Sequence, residues 1–213
     1  MIDIEIILKR LHKELSQEQI DVICGTLLGD AWLETTTKGI TCRYGFKQKK
    51  EQSDYLDHVF HILQNLCRSK PILNRTDYQF KTLTKNCLVS FDNLFYSYQQ
   101  GKRKKIIPDS KTLYKLLTPR AFAYWFMDDG SKAKKRSSVL CTNCFTYDEV
   151  NLLCFVLNSK FGLKCHPYKQ LQKTTNKIEW RIYFLTKTHK KLYALVEPYI
   201  VPTMLYKLPD LDK

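Results

Sequence analysis

Two apolar helices that each finish in a carboxylate, with the same order of elements behind them, constrain this chain more than any other feature of its sequence. Ser16-Gln17-Glu18-Gln19 is a capping box, and Ile20, Ile23, Cys24, Leu27 and Leu28 follow at helical spacing as far as Gly29-Asp30. Thr118-Pro119 is a second start signal, a capping Thr with Pro at the first helical position. Ala121, Phe122, Trp125 and Phe126 carry that helix to Asp128-Asp129-Gly130. The negative end of a helix dipole disfavours an anion, so Asp30 and Asp129 stand against local electrostatics. Residues placed in that way are candidates for function.

Behind each helix the elements run in parallel. A polar, strand-like stretch from Thr41 to Lys49 follows Asp30, and Ser137 to Thr142, leading to Asn143, follows Asp129. Apolar periodicity then predicts helices over Tyr55 to Leu63 and Tyr147 to Leu157. Pairs of strands are expected next, Tyr78 to Leu83 with Cys87 to Phe91, and Lys164 to Leu171 with Lys177 to Leu185. A third helix closes each half, Asp92 to Tyr98 and His189 to Val196, before the related phrases Ile106-Ile107-Pro108 and Ile200-Val201-Pro202. Gln48 and Pro108 are 60 residues apart, Asn143 and Pro202 59, although identity between the halves is slight. The pattern predicts an α+β fold of two halves, residues 1–110 and 111–213, related by a pseudo-two-fold axis.

The expected strands alternate between an apolar and a polar face. Lys177, Glu179, Arg181 and Tyr183 interleave with Ile178, Trp180, Ile182 and Phe184, while Arg43, Lys47 and Lys49 share a face against Cys42, Tyr44 and Phe46. Thirty-five Lys and Arg against 21 Asp and Glu leave a net charge of +14, which on a folded domain points to a polyanionic partner. A two-stranded ribbon fits the DNA major groove. The basic runs Lys47-Gln48-Lys49-Lys50, Lys102-Arg103-Lys104-Lys105 and Lys134-Lys135-Arg136 suit phosphate contacts, which add affinity without sequence information.

Composition removes other classes. At 44% hydrophobic residues, with only seven Gly and seven Pro, the chain is neither mainly disordered nor of low complexity. No run approaches the ~18 apolar residues of a membrane span, and the N-terminus shows no secretory h-region. Of the eight cysteines, Cys24 and Cys154 lie inside apolar helical patterns and Cys42 and Cys87 inside strand-like ones, as buried thiols do, so a reducing compartment is expected. Cys141-Thr142-Asn143-Cys144 lacks the second pair that a zinc site needs.

Ile23-Cys24-Gly25-Thr26-Leu27-Leu28-Gly29-Asp30-Ala31 and Phe122-Ala123-Tyr124-Trp125-Phe126-Met127-Asp128-Asp129-Gly130 resemble the two motifs of single-chain LAGLIDADG homing endonucleases. With Leu117-Thr118-Pro119 before the second motif and Leu205-Tyr206-Lys207-Leu208-Pro209 near the end, the chain is similar to the subgroup encoded within group I introns. That resemblance implies helices packed on antiparallel sheets, a DNA-binding saddle, and one monomer holding both motif carboxylates near the scissile phosphates. Gly25 and Gly29 share a helix face and permit close helix approach. Asp30 and Asp129 would then repel unless a divalent cation, Mg²⁺ or Mn²⁺, lies between them. Ala31 in place of Gly, and Tyr124 where a small residue is usual, depart from the motif and imply an asymmetric helix contact.

The resemblance also implies supporting roles for Gln48 and, by spacing, Asn143 in ordering water, and for Lys105 and Lys207 as active-site lysines. Asp128 points about 100° away from Asp129 around the helix and is expected to matter less. The expected activity is cleavage of both DNA strands at a long site with a staggered cut, promoting intron homing. An intron RNA maturase and a non-catalytic DNA-binding protein are the alternatives. An organelle, chloroplast or mitochondrion, or a bacterial cytoplasm is the expected location.

Overall fold

In a computed structural model that describes residues 4–36, 40–133, 137–172 and 176–210, the two carboxylate-ended helices lie against each other at the centre of the molecule. α1 (Ile4–Leu11) buries Ile4, Ile7 and Leu11 and leads into α2 (Gln17–Leu28). The capping box closes in both directions: Ser16 Oγ accepts from the Gln19 N–H at 3.2 Å, and Gln19 Oε1 accepts from the Ser16 N–H at 3.1 Å. From Gln19 to Leu28 every α2 residue is buried. The second motif helix, running Pro119–Asp129, starts where Thr118 Oγ1 accepts from the Ala121 N–H at 3.1 Å, and buries Ala121 to Met127. Helices buried all round belong in the middle of a fold, and these two form its spine.

Each half wraps one of them with a four-stranded antiparallel sheet. In the first, β1 (Trp32–Thr35), β2 (Cys42–Lys49), β3 (Ile72–Asn74) and β4 (Asp77–Lys81) pair in the order β1-β2-β4-β3, with α3 (Ser53–Leu63) and α4 (Cys87–Phe95) on the inner face. After a hairpin, β5 (Tyr96–Gln99) and β6 (Lys102–Lys105), α5 (Ser110–Leu116) leads to the second motif helix, α6. The second sheet, β7 (Gly130–Ala133), β8 (Ser137–Leu140), β9 (Cys165–Gln172) and β10 (Lys177–Phe184), repeats the order as β7-β8-β10-β9, beneath α7 (Tyr147–Phe161) and α8 (His189–Val196). The inner faces bury Leu33, Tyr44, Phe46 and Phe80 in one half and Leu140, Ile182 and Phe184 in the other. This is an α+β fold of two pseudo-symmetric halves.

The first half departs from its expected elements between residues 72 and 105. The segment expected as a strand from Cys87 is helical, because Cys87, Leu88, Phe91 and Phe95 are all buried at helical spacing. A short apolar run cannot tell the two apart. The true partner of β4 is β3, whose three exposed residues, Ile72, Leu73 and Asn74, are too few to show alternation. The helix expected to reach Tyr98 ends at Phe95, and the hairpin turns at Gln100 and Gly101, both at positive φ. The second half has no counterpart to that hairpin among the described residues. It covers the free edge of β1: Tyr96 Oη accepts from the Leu33 N–H at 3.2 Å and Arg103 Nη1 donates to the Leu33 carbonyl at 2.9 Å. The short strands β1 and β7 and helices α1 and α5 were not expected.

Candidate active site

The helix pair meets through missing side chains. A Cβ on Gly25 would stand 2.2 Å from the Ala121 carbonyl oxygen and 2.9 Å from Tyr124 Cβ. One on Gly29 would stand 2.5 Å from both Cβ and Oδ2 of Asp128. Backbone thus approaches backbone on the α2 side, while α6 contributes full side chains. Tyr124 turns its ring outwards over α3, where it stacks on His58 at 6.0 Å and 16° and shares a hydrogen bond with His58 Nε2 at 2.7 Å. The asymmetric contact implied by Tyr124 is what the helices make.

Close packing brings the helix ends together. Asp30 is exposed, and its Oδ2 accepts from Gln48 Nε2 at 2.8 Å. Asp129 is half-buried; burial first, and then the charge of Asp30, push its carboxyl up to about 7, against the opposing pull of Lys207 and Lys105. Asp128, expected to matter less than Asp129, has two contacts of its own across the helix pair. Its Oδ2 accepts from the Asp30 N–H at 3.0 Å, and its Oδ1 accepts from Tyr55 Oη at 2.7 Å. Desolvation and the neighbouring Asp30 and Asp129 charges raise its carboxyl well above the usual range. The 100° turn that aims Asp128 away from Asp129 aims it across the interface, into the space that Gly29 leaves.

Both helix ends are held by a lysine. Lys105 Nζ, at the end of β6, donates to the Gly29 and Ala31 carbonyls at 3.0 and 2.9 Å. Lys207 Nζ, from the 3-10 turn Pro202–Lys207, donates to the Met127 carbonyl and to that of Asp128 at 2.6 Å. Each ammonium therefore caps the negative pole of one motif helix, which offsets the dipole conflict of the aspartates. Burial lowers Lys105 from its ordinary value, with Asp129, Asp128 and Asp30 among the groups that oppose the shift.

Two acidic helix ends, two capping lysines and two matching sheets are the parts of one known architecture, and residues 20–192 match the LAGLIDADG DNA endonuclease family. The chain belongs to that family. It is 32% identical over 216 residues to the "Probable intron-encoded endonuclease 1" of Wickerhamomyces canadensis, covering 94% of this chain and 87% of that one. It is 31% identical over 208 residues to the cytochrome b mRNA maturase bI2 of Saccharomyces cerevisiae, covering 91% of this chain and 48% of that longer protein. Among solved structures, the homing endonuclease I-WcaI bound to its DNA recognition sequence superposes with a TM-score of 0.77 at 29% identity, covering 94% of this chain and 91% of that one.

Within the LAGLIDADG frame, Asp30, Asp129, Gln48, Lys105 and Lys207 converge. Among the described residues, Asn143 makes no hydrogen bond to the carboxylates. It lies exposed beyond the end of β8, where its Oδ1 accepts from Arg181 Nε at 3.2 Å. Trp32 pairs with Gly45 and Ser131 with Val139, so the register-equivalent of Gln48 is the buried Thr142 rather than Asn143. Thr142 Oγ1 is already bonded to the Trp180 carbonyl at 2.7 Å.

The candidate DNA contacts fall on the outer sheet faces. Arg43 binds Glu34, Lys47 pairs with Asp77 at 3.2 Å, and Lys49 and Lys177 are exposed. Arg181 sits beside Asn143, and Tyr183 packs its ring near His166 and Tyr168. The basic run 134–136 lies outside the described residues. Sequence reasoning missed Tyr55, which looked like any apolar-periodic helix residue, and it missed Glu34. The doubled acid Asp128-Asp129, set against Gly29 at the same motif position, was the signal available for Asp128.

Proposed function

We propose that this chain is a monomeric, divalent-metal-dependent endonuclease that hydrolyses both strands of duplex DNA at a long recognition site, leaves a staggered cut and promotes intron homing. The observation that carries the reading is the meeting of Asp30 and Asp129 at the paired helix ends, beside Lys105 and Lys207 and between two polar, basic sheet faces.

The donor set suits a hard cation. Two carboxylates sit together, and burial first and then the Asp30 charge raise the Asp129 carboxyl, so a hard cation would offset both. Mg²⁺, or Mn²⁺ in its place, would be held by Asp30 and Asp129, and such an ion supplies an activated water and charge stabilisation at a phosphodiester. The chain's own groups do the rest. Gln48 fixes the orientation of the Asp30 carboxylate, and the Asp128 carboxyl fixes the backbone from which Asp30 projects. Lys105 and Lys207 each spend two donors on helix carbonyls, leaving a third N–H and a full charge for the developing charge on phosphate. Asn143 with Arg181 offers a polar contact at the second sheet's end.

The test is cleavage, in Mg²⁺, of the intron-less allele of the gene that hosts the reading frame in an organelle or bacterial genome. Cutting of both strands at one position is the expected result, and intact DNA would overturn it. Binding should weaken steeply as salt rises, because lysines and arginines on the outer faces replace counterions. The similarity to the yeast maturase favours intron RNA as a second partner. A splicing assay on the host intron separates that reading from the first.

A further inference from the structure

One carboxylate stands among the cations on the outer face of the first sheet, and all of its acceptor positions are taken. Glu34 on β1 is the cross-strand partner of Arg43 on β2. Its Oε2 accepts from Arg43 Nε at 2.6 Å and Nη2 at 2.5 Å. Its Oε1 accepts from Trp32 Nε1 at 2.9 Å and Lys81 Nζ at 2.7 Å. A carboxylate offers about four lone-pair positions, so none remains for a ligand. Although partial desolvation opposes it, bonding from Lys81, Trp32 and Arg43 holds the Glu34 carboxyl down at about 2.

The cluster is built on a flat base. Trp32 lies over Gly45, where a Cβ would come within 2.5 Å of the indole ring. Lys81, the register partner of Gly45 on β4, stands 5.8 Å from the centre of that ring. Arg43 is engaged through Nε and one side of Nη2, and its side chain is 45% exposed. Its end-on Nη1–Nη2 fork is therefore unspent and points away from the carboxylate. That fork is the shape that donates two parallel hydrogen bonds to O6 and N7 of guanine in the major groove. At the register-equivalent places of the second sheet stand Ser131, Ala133, Ser137, Val139 and Tyr183, none of them charged.

We infer that Arg43 reads one guanine of the DNA target and that Glu34 is the positioning residue that aims it. The inference rests on the DNA reading proposed above. Glu34 reads no base itself, since accepting from a cytosine amino group would require a free lone pair. A bare arginine on a sheet face sweeps many rotamers, and a saturated carboxylate beside it removes most of them before DNA arrives.

The test uses the full chain and duplexes carrying a randomised segment longer than two helical turns, with binders selected in Ca²⁺. The unaltered chain, Arg43→Ala, Arg43→Lys and Glu34→Gln are compared. The unaltered chain should enrich a site with one guanine that all three variants relax, discrimination at that base pair falling about ten-fold or more. Preferences elsewhere in the site should persist. Arg43→Lys keeps the charge but loses the fork, so overall affinity should survive while the guanine preference does not. Even weakening across all sequences in Arg43→Ala would make Arg43 a phosphate contact and overturn the inference. So would a guanine preference that Glu34→Gln leaves intact. If the unaltered chain enriches no sequence at all, the DNA reading itself falls, and this inference with it.

Discussion

Gly25 and Gly29 on α2 face Tyr124 and Asp128 on α6, so the third and seventh positions of the two motifs carry no side chain on one helix and a large one on the other. At the helix ends the halves agree: each motif ends in a carboxylate, and each terminus is held by one lysine through two carbonyls. The comparison separates what the interface needs from what the chemistry needs. The interface requires only that the two helices together fill the space between them, so the filling can all come from α6. The aspartate and the lysine are repeated on both sides, which suits the proposed cutting of both strands by one set each.

The largest expected effect tests the part that is repeated. Asp30→Asn and Asp129→Asn each remove one carboxylate of the proposed metal site, and each should lower double-strand cleavage by at least about 10², the scale on which a single transition-state-stabilising group acts. Gel-shift affinity should be kept in both. Unequal loss, with one variant still nicking a single strand, would show that the two centres work independently. Lys207→Met and Lys105→Met come next. Each leaves two helix-terminal carbonyls without a cationic donor, a loss of about 1.5–3 kcal/mol for hydrogen bonds to charged groups. The buried Lys207 should cost more in urea unfolding than the less buried Lys105. Equal losses would say that burial does not distinguish the halves.

Smaller effects probe the unequal positions. Gly25→Ala must displace the Ala121 carbonyl and should destabilise by about 1–3 kcal/mol, the range for overpacking. Asp128→Ala leaves the Asp30 N–H without its acceptor and the Tyr55 hydroxyl with only the long contact to the Tyr124 carbonyl at 3.4 Å, and should cost about 1–3 kcal/mol and reduce cutting. Asp128→Asn keeps an acceptor and should be milder, so a severe Asn variant would give Asp128 a role beyond holding the interface. The smallest signal is a pH dependence. Asp129 titrates near 7 in the fold but near the ordinary carboxylate value when unfolded, so between those values the folded chain binds a proton that the unfolded chain has lost. Without divalent ions, Tm should therefore rise by a few degrees as pH falls from about 8 to about 5. Asp129→Asn should lessen that slope, leaving the part that the raised Asp128 carboxyl contributes.

Periodicity and caps made both motif helices legible because burial and local signals agree there: Ser16 and Thr118 cap helices whose apolar residues are inside. The carboxylates were legible for the opposite reason, since they conflict with the dipole of their own helix. What stayed hidden depends on partners far away in the chain. Lys105 carries no local sign that it would bond to carbonyls 74 and 76 residues earlier, and family resemblance alone suggested it. β3 was unreadable because three residues cannot show an alternation, and its two apolar ones, Ile72 and Leu73, are adjacent and both exposed. Asn143 was placed opposite Gln48 by counting residues, whereas strand register points to Thr142; a count cannot sense where β8 stops pairing.

The glycine-against-side-chain fit bears on how such a chain can be rearranged. Two copies of the first half, split off and paired, would meet glycine to glycine and could still draw their helices together. Two copies of the second would set Tyr124 against Tyr124 and Asp128 against Asp128 at a backbone separation that leaves room for neither. The second half is thus an obligate heterologous partner, bound to a mate with an empty seam. Exchanging halves between related proteins should work only in one direction, with a recipient whose first motif keeps glycine at both of those places.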